Sequence, residues 1–247
     1  MTRPPCTAGG APRRLKELSA PDAAAIVATD PRLIIPVGTC EQHGPHLPFG
    51  CATIIADRLT DDLSAITGVL RAPTLEYGVN MPADRDFPGN GSMRRKTLHR
   101  VLNDLLASWE ISGFREFILI TAHDHDAHQE ALDTVITRWA RVRVVDIYTV
   151  RVADLLDGQL EHMHGGEVDT SLMLYLAPDL VDLSRATDFV APPGARPYRR
   201  GAMRLPGTGG GSLGRPSLAT AEKGKAIYER IRDRIVERIF YAAPPDA

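Results

Sequence analysis

The chain is poor in cysteine and has no long apolar run, and each shortage removes a class of answer. Only three cysteines occur in 247 residues (Cys6, Cys40 and Cys51), an odd number with no Cys-x-x-Cys spacing. A disulfide framework and a cysteine-built zinc site are therefore not indicated, and a reducing cytoplasm is the expected compartment. No apolar stretch approaches the ~18 residues of a membrane span, so no membrane partner is expected. Neither sign of charge dominates: 29 Lys and Arg face 31 Asp and Glu, mixed along the chain. Without a basic stripe, no nucleic-acid partner is expected. Residues 1–14 lack the apolar core of a secretion signal, so residues 1–16 read as a flexible tail. One α/β domain over 17–242 and a short tail at 243–247 complete the expected layout.

What is present alternates. Pro21–Asp30 reads as a short helix with proline in its first turn. Leu33–Val37 is a short apolar run, read as a buried strand. From Thr53, the apolar positions Ile54, Ile55, Leu59 and Leu63 recur at helical spacing up to Gly68. Val69–Leu75 reads as a strand, and Tyr77–Ser92, rich in Pro, Gly, Asn and Asp, as a long loop of the kind that carries function. Leu98, Val101, Leu102, Leu105, Leu106 and Trp109 form a second helical stripe closed by Gly113. Glu116–Thr121 reads as a strand, Leu132 to Trp139 as part of a helix, and Val142–Val150 as another strand. A helix carries Leu172, Met173, Leu174 and Leu176, and a last one covers about Thr220–Tyr241. Strands alternating with helices imply an α/β fold: a three-layer α/β/α sandwich around a mostly parallel sheet.

Seven of the eight histidines fall in three short loops: His43 and His46, then His123, His125 and His128, then His162 and His164. Only His99 lies elsewhere. The first two loops directly follow strands Leu33–Val37 and Glu116–Thr121, and loops at the carboxyl edge of a parallel sheet face one crevice. Any single histidine is more often a core or solvated residue than a ligand. Convergence of several, with Glu41 among them, favours a metal or proton-transfer site.

The wording of these loops is specific. Gly38-Thr-Cys-Glu-Gln-His-Gly-Pro-His-Leu-Pro48 resembles the first signature of the creatininase family. Ile120-Thr-Ala-His-Asp-His-Asp-Ala-His-Gln-Glu130 resembles a degraded second signature, and His164-Gly-Gly-Glu-Val-Asp-Thr-Ser-Leu-Met-Leu174 a third. Gly214–Gly224 matches the family's C-terminal phrase, so the resemblance spans about residues 20–240. It implies hydrolysis of a C–N bond in a small polar cyclic amide or formamide, with metal-activated water as nucleophile. It also implies a homo-oligomer, a hexamer by family habit.

Residue by residue, the resemblance assigns Glu41 and His123 to one metal and His43 to the other, with His125 replacing a metal-binding acid. His164 becomes the proton shuttle and Asp169 its orienting group or a helix cap. Asp124, Met163 and Tyr77 are the expected substrate contacts. One departure matters most: Ala52 stands where the family has the Asp that bridges its two metals. Two dications about 3.5 Å apart repel by on the order of 20 kcal/mol at an effective dielectric near 20. With one aligned acid left, a single metal held by some subset of Glu41, His43, His123 and His125 is the expectation. A His-rich shell suits zinc, with a second divalent metal or none as the alternatives. Two other functional readings stand beside hydrolysis. One is the same scaffold running a cyclisation, dehydration or C–C cleavage in a specialised biosynthetic pathway; the other is an inactive ligand-binding relative.

Overall fold

The computed structural model describes residues 10–82, 84, 87–157, 162–190 and 210–241. Four parallel strands form one sheet in the order β2-β1-β3-β4: β1 Arg32–Val37, β2 Leu70–Arg71, β3 Glu116–Thr121 and β4 Arg141–Asp146. Six α-helices accompany it among the described residues: α1 Ala20–Thr29, α2 Cys51–Thr67, α3 Arg95–Ile111, α4 Asp126–Asp133, α5 Glu167–Leu176 and α6 Ala221–Ile235.

Alternate strand residues enter two separate cores, which makes the fold a three-layer sandwich. Ile34, Ile118 and Ile120 pack with α2, α5 and α6. Leu33, Ile35, Val37, Phe117 and Leu119 point the other way, into α3 and α4. Because helices cover both faces, the strands read as unbroken apolar runs rather than alternating ones.

The order of the strands creates the crevice. β1 and β3 are paired in register, Val37 opposite Thr121, so the chain leaves both at one level. After β1 it turns to α2 on one face, and after β3 to α4 on the other. Adjacent parallel strands whose following helices diverge leave an opening at their carboxyl ends.

Three elements differ in extent from the sequence expectation. The strand expected over Val69–Leu75 pairs only at Leu70–Arg71, with an isolated bridge from Leu75 to Val37; Pro73 lacks the N–H that would continue the ladder. The strand expected to reach Val150 stops at Asp146, whose carboxylate accepts the Tyr148 N–H (3.0 Å) and bends the chain into a 3₁₀ turn. The helix expected through Trp139 stops at Asp133. There the Glu110 carboxylate accepts the backbone N–H groups of Arg138, Trp139 and Ala140 (3.0, 2.7 and 2.6 Å), which holds that segment in a turn. Ile136 and Trp139 are consequently exposed.

Arg13 and Arg14, within the stretch expected as a tail, make contacts with the domain. Arg71 donates its N–H to the Arg13 carbonyl (2.9 Å), and the Arg14 guanidinium meets Asp61 (2.8 Å), so residues from 13 onward are held against the domain. The 243–247 tail lies outside the described residues.

α5 and α6 cross at Gly224, where a Cβ would sit 1.8 Å from the Ser171 carbonyl oxygen. A helical Gly→Ala change normally stabilises by ~1 kcal/mol. Here the sign inverts: Gly224→Ala is expected to destabilise by about 1–3 kcal/mol through overpacking, read as a lower Tm by thermal denaturation. An unchanged or raised Tm would show that the two helices are not in such close contact.

Candidate metal centre

Four segments meet above β1 and β3. The first is the loop after β1, folded back so that the Glu41 N–H donates to the Phe49 carbonyl (2.9 Å). This turn sends the Glu41 side chain inward, where it is fully buried. The second is the loop after β3, carrying His123. The third, ahead of α5, carries His164 and packs backbone to backbone on the first. A Cβ on Gly165 (φ +63°) would lie 2.4 Å from the His43 carbonyl oxygen, so glycine is needed there for both conformation and space. The fourth is the long loop of residues 77–92, tied down by Gly91 N–H to the Cys40 carbonyl (2.9 Å) and by Met81 N–H to Glu41 Oε1 (3.1 Å).

The hydrogen bonds fix where the imidazole lone pairs point. His123 Nε2 contacts the Val79 carbonyl (2.9 Å), an acceptor only, so Nε2 carries the proton and Nδ1 is bare. That bare Nδ1 lies 3.1 Å from Glu41 Oε2. Oε2 itself has no hydrogen-bond donor. With Glu41 ionised, two acceptors face one another in a dry site, an arrangement that a shared cation relieves. Adjacent ligands of a tetrahedral zinc at ~2.0 Å bonds lie ~3.3 Å apart, close to this spacing.

On the other side of Glu41, His43 Nδ1 donates to the Glu41 carbonyl (3.0 Å) and His164 Nε2 to the Gln42 carbonyl (2.6 Å). Each keeps its second nitrogen free. Their rings are 4.3 Å apart. One ligand atom from each of Glu41, His43 and His164 lies within 4.8 Å of the other two. Glu41 therefore belongs to both groups.

Burial dominates the electrostatics. It pulls His123 down to about 3. Burial, then the neighbouring His43, does the same to His164; His43 is lowered by burial as well. All three are neutral at neutral pH and available as ligands. Glu41 is pushed well above the usual carboxyl range, first by burial and then by the Asp84 carboxylate beside it. The donor set fits a divalent cation: neutral imidazoles, and a buried acid that resists ionising without positive charge nearby.

The remaining expected residues are placed unevenly. His125 caps the start of α4, half-buried, its ring 6.0 Å from that of His123. It lines a cavity of about 510 Å³ with Met81, Asp84 and Phe87. Asp169 does not touch His164 through any hydrogen bond described; its carboxylate accepts from Gly165 N–H (2.8 Å), Tyr148 O–H (2.6 Å) and His162 Nε2 (2.9 Å). Asp124, half-exposed, takes His162 Nδ1 (3.1 Å). Tyr77 is 52% exposed and lies against Gly91, and Met163 is half-buried, its carbonyl accepting the Gly166 N–H. Ala52 and Cys51 face the apolar core under α2, and burial raises the Cys51 thiol, so neither offers a ligand.

Sequence reasoning assigned no role to His162, Tyr148 or Asp84. Burial opposes the charged form of His162, but Asp169 and then Asp124 hold it protonated well above its ordinary range. Tyr148 stacks on it at 3.5 Å. Asp84 is nearly fully buried. His128 and His46 are structural: His128 accepts from Val79 N–H and bonds Thr121, and His46 bonds Thr170.

A sequence profile of the family described as creatininase, creatinine amidohydrolase, matches residues 16–239. The chain belongs to the creatininase family. It is 28% identical to the creatinine amidohydrolase of Pseudomonas putida over 90% of this chain and 94% of that one. To the mycofactocin precursor peptide peptidase of Mycobacterium ulcerans (strain Agy99) it is 29% identical over 94% of each chain. A solved manganese creatininase superposes with a TM-score of 0.83 at 27% identity, over 95% of this chain and all of that one. A zinc–zinc type variant of creatininase gives the same score at 28% identity, over 94% and 98%. These creatininase relatives are hydrolases, and the three-layer fold is theirs.

His162, caught between two carboxylates of different exposure, gives a differential test. Asp169→Asn removes its fully buried partner and is expected to cost about 3–5 kcal/mol, a Tm loss of about 10 °C. Asp124→Asn removes a half-exposed partner and should cost about 1 kcal/mol or less. Equal losses by thermal denaturation would show that Asp169 does not hold a buried imidazolium.

Proposed function

We propose that the chain is a metal-dependent amidohydrolase that cleaves a C–N bond in a small polar substrate. The observation that carries this reading is the bare Nδ1 of His123 facing the undonated Oε2 of Glu41 at 3.1 Å in a buried site. Glu41, His43 and His123 would hold the cation, one per chain, with His125 at the cavity mouth as a further ligand. Zinc suits this His-rich set. A bound divalent cation lowers the pKa of water from 15.7 to about 7 and polarises a carbonyl oxygen.

The chain's own residues supply the rest. The carbonyls of Val79, Glu41 and Gln42 fix the tautomers of His123, His43 and His164, so each imidazole presents one defined lone pair. His164 Nδ1 is the atom we assign to carry the proton from the attacking water to the departing nitrogen. Asp169 acts as a positioning residue, holding the Gly165 N–H next to His164. The 510 Å³ cavity beside His125 has room for a small molecule, with Asp124, Met163 and Tyr77 as proposed contacts further out.

Ala52 favours a second reading. Its methyl group, packed in the core at the start of α2, leaves the site one acid poorer than the two-metal centre the family resemblance implies. The same residues would then serve a non-hydrolytic step such as a cyclisation, dehydration or C–C cleavage. Self-association is proposed as well: Ile111, Ile136 and Trp139 are exposed around the C-terminal end of α3 and offer an apolar contact. A cytoplasmic location is consistent with Cys40 and Cys51 both being free. Among the described residues no helix is long and apolar enough to cross a membrane.

Metal analysis tests the central claim. The purified chain is expected to bind close to one zinc equivalent, and His123→Ala to weaken binding by about 100-fold or more, since it removes a ligand rather than an outer partner. Turnover of small cyclic amides should stop on chelation and return with zinc. Activity that survives complete metal removal would sink the hydrolytic mechanism, and two tightly bound equivalents would sink the single-metal form.

A further inference from the structure

We propose that Asp84, from the loop closing over the site, is the second carboxylate ligand of the cation held at Glu41. This rests on the metal-centre reading above and adds to it a residue that lies outside the three signature loops.

Asp84 is 2% exposed, yet only half of its carboxylate is accounted for. Oδ1 accepts a hydrogen bond from Gln42 Nε2 (2.6 Å). Oδ2 is buried and has no donor, as is Glu41 Oε2. Two orphaned carboxylate oxygens on neighbouring side chains are costly unless a proton or a cation lies between them. The Asp84 carboxylate lies within hydrogen-bond reach of the Glu41 carboxyl group. Glu41 Oε2 faces the bare Nδ1 of His123 at 3.1 Å, and the free nitrogens of His43 and His164 lie on the other side of Glu41. One proton shared between the two carboxylates answers both oxygens but leaves the bare imidazole nitrogens unused. A divalent cation answers both, and uses the bare nitrogens as well.

The backbone around Asp84 is built to hold it there. Its N–H donates to the Met81 carbonyl (3.0 Å), while Met81 N–H holds Glu41 Oε1 (3.1 Å). Its carbonyl accepts from Asn90 Nδ2 (2.6 Å), and Asn90 Oδ1 takes the Gln42 N–H (2.7 Å). Gln42 thus touches Asp84 through its side chain and is anchored through its backbone to the same loop. Neighbouring residues of the loop after β1, Glu41 and Gln42, fix one carboxylate each. Asp84 also lines the 510 Å³ cavity with His125, beside the space proposed for substrate.

The test compares wild type, Asp84→Asn and Asp84→Glu as full chains, using zinc alone as probe. Affinity is read by competition with a chromophoric chelator, and coordination by the visible spectrum of the cobalt(II)-loaded protein. D84N is expected to bind zinc ~100-fold or more weakly than wild type, D84E to recover part of that loss, and the cobalt spectrum to change in D84N. Melting of the metal-free proteins supplies a sign that a merely structural residue would not give. Removing one of two facing carboxylates should raise the Tm of metal-free D84N, while the Tm gain on adding zinc shrinks. D84N binding zinc within threefold of wild type with an unaltered cobalt spectrum would overturn the assignment and leave the metal centre intact. So would a metal-free D84N that fails to fold. Wild type that binds no zinc would overturn the metal centre itself, and this proposal with it.

Discussion

A buried acid with no donor on one of its oxygens is the constraint on which the rest of this structure depends. Glu41 is fully enclosed, takes one backbone N–H on Oε1, and presents Oε2 to the lone pair of His123. A charge taken out of water costs several kcal/mol unless it is paired. An imidazole can pair it only by being protonated, yet burial holds His123 at about 3 and its Nε2 proton is already given to Val79. The neutral-imidazole, acid-poor character of the site follows from that geometry. Such a donor set fits a divalent cation.

The fold delivers these groups because of where the chain changes direction. β1 and β3 lie side by side in register, and their following segments part toward α2 and α4. Loops that leave the same edge and diverge must leave room between them. The third loop is brought in by the packing of α5 against α2 and α6, which the contact at Gly224 allows to be close. Packing in one core thus positions His164 against His43. The other core supports β1, β3 and β4 and takes in Val79, whose carbonyl fixes the tautomer of His123.

Much of this was legible in the sequence, and the losses have physical reasons. The strands Leu33–Val37 and Glu116–Thr121 were readable because burial on both faces makes an apolar run, and the loops after them stood out by their histidines. The turn at Ile147–Thr149 was not readable, since Val-Val-Asp-Ile-Tyr-Thr-Val has every local preference of a strand. Only the side chain of Asp146 capping Tyr148 N–H ends it. Trp139 and Ile136 kept helical spacing past the end of α4, but a carboxylate from another helix claimed the amides there. His162 and Asp84 were hidden for a common reason. What distinguishes them is partners distant in the chain, 38 residues away for Asp124 and 42 for Gln42.

The substitution at position 52 then takes on a different meaning. The buried alanine at the start of α2 contributes no charge to the site, and its methyl group belongs to the apolar core. Charge balance has to be met by whatever else is enclosed there. Among the described residues the acids that burial and bonding bring near the histidines are Glu41, Asp84, Asp169 and Asp124. Asp169 and Asp124 are both engaged by His162, a held imidazolium whose single charge offsets one of the two. Glu41 and Asp84 face neutral imidazoles instead. The site therefore divides into two parts, one held by a protein cation and one open to an external cation. A chain can lose a ligand from one helix and keep the chemistry of the crevice, provided another segment over the same opening restores the missing negative charge.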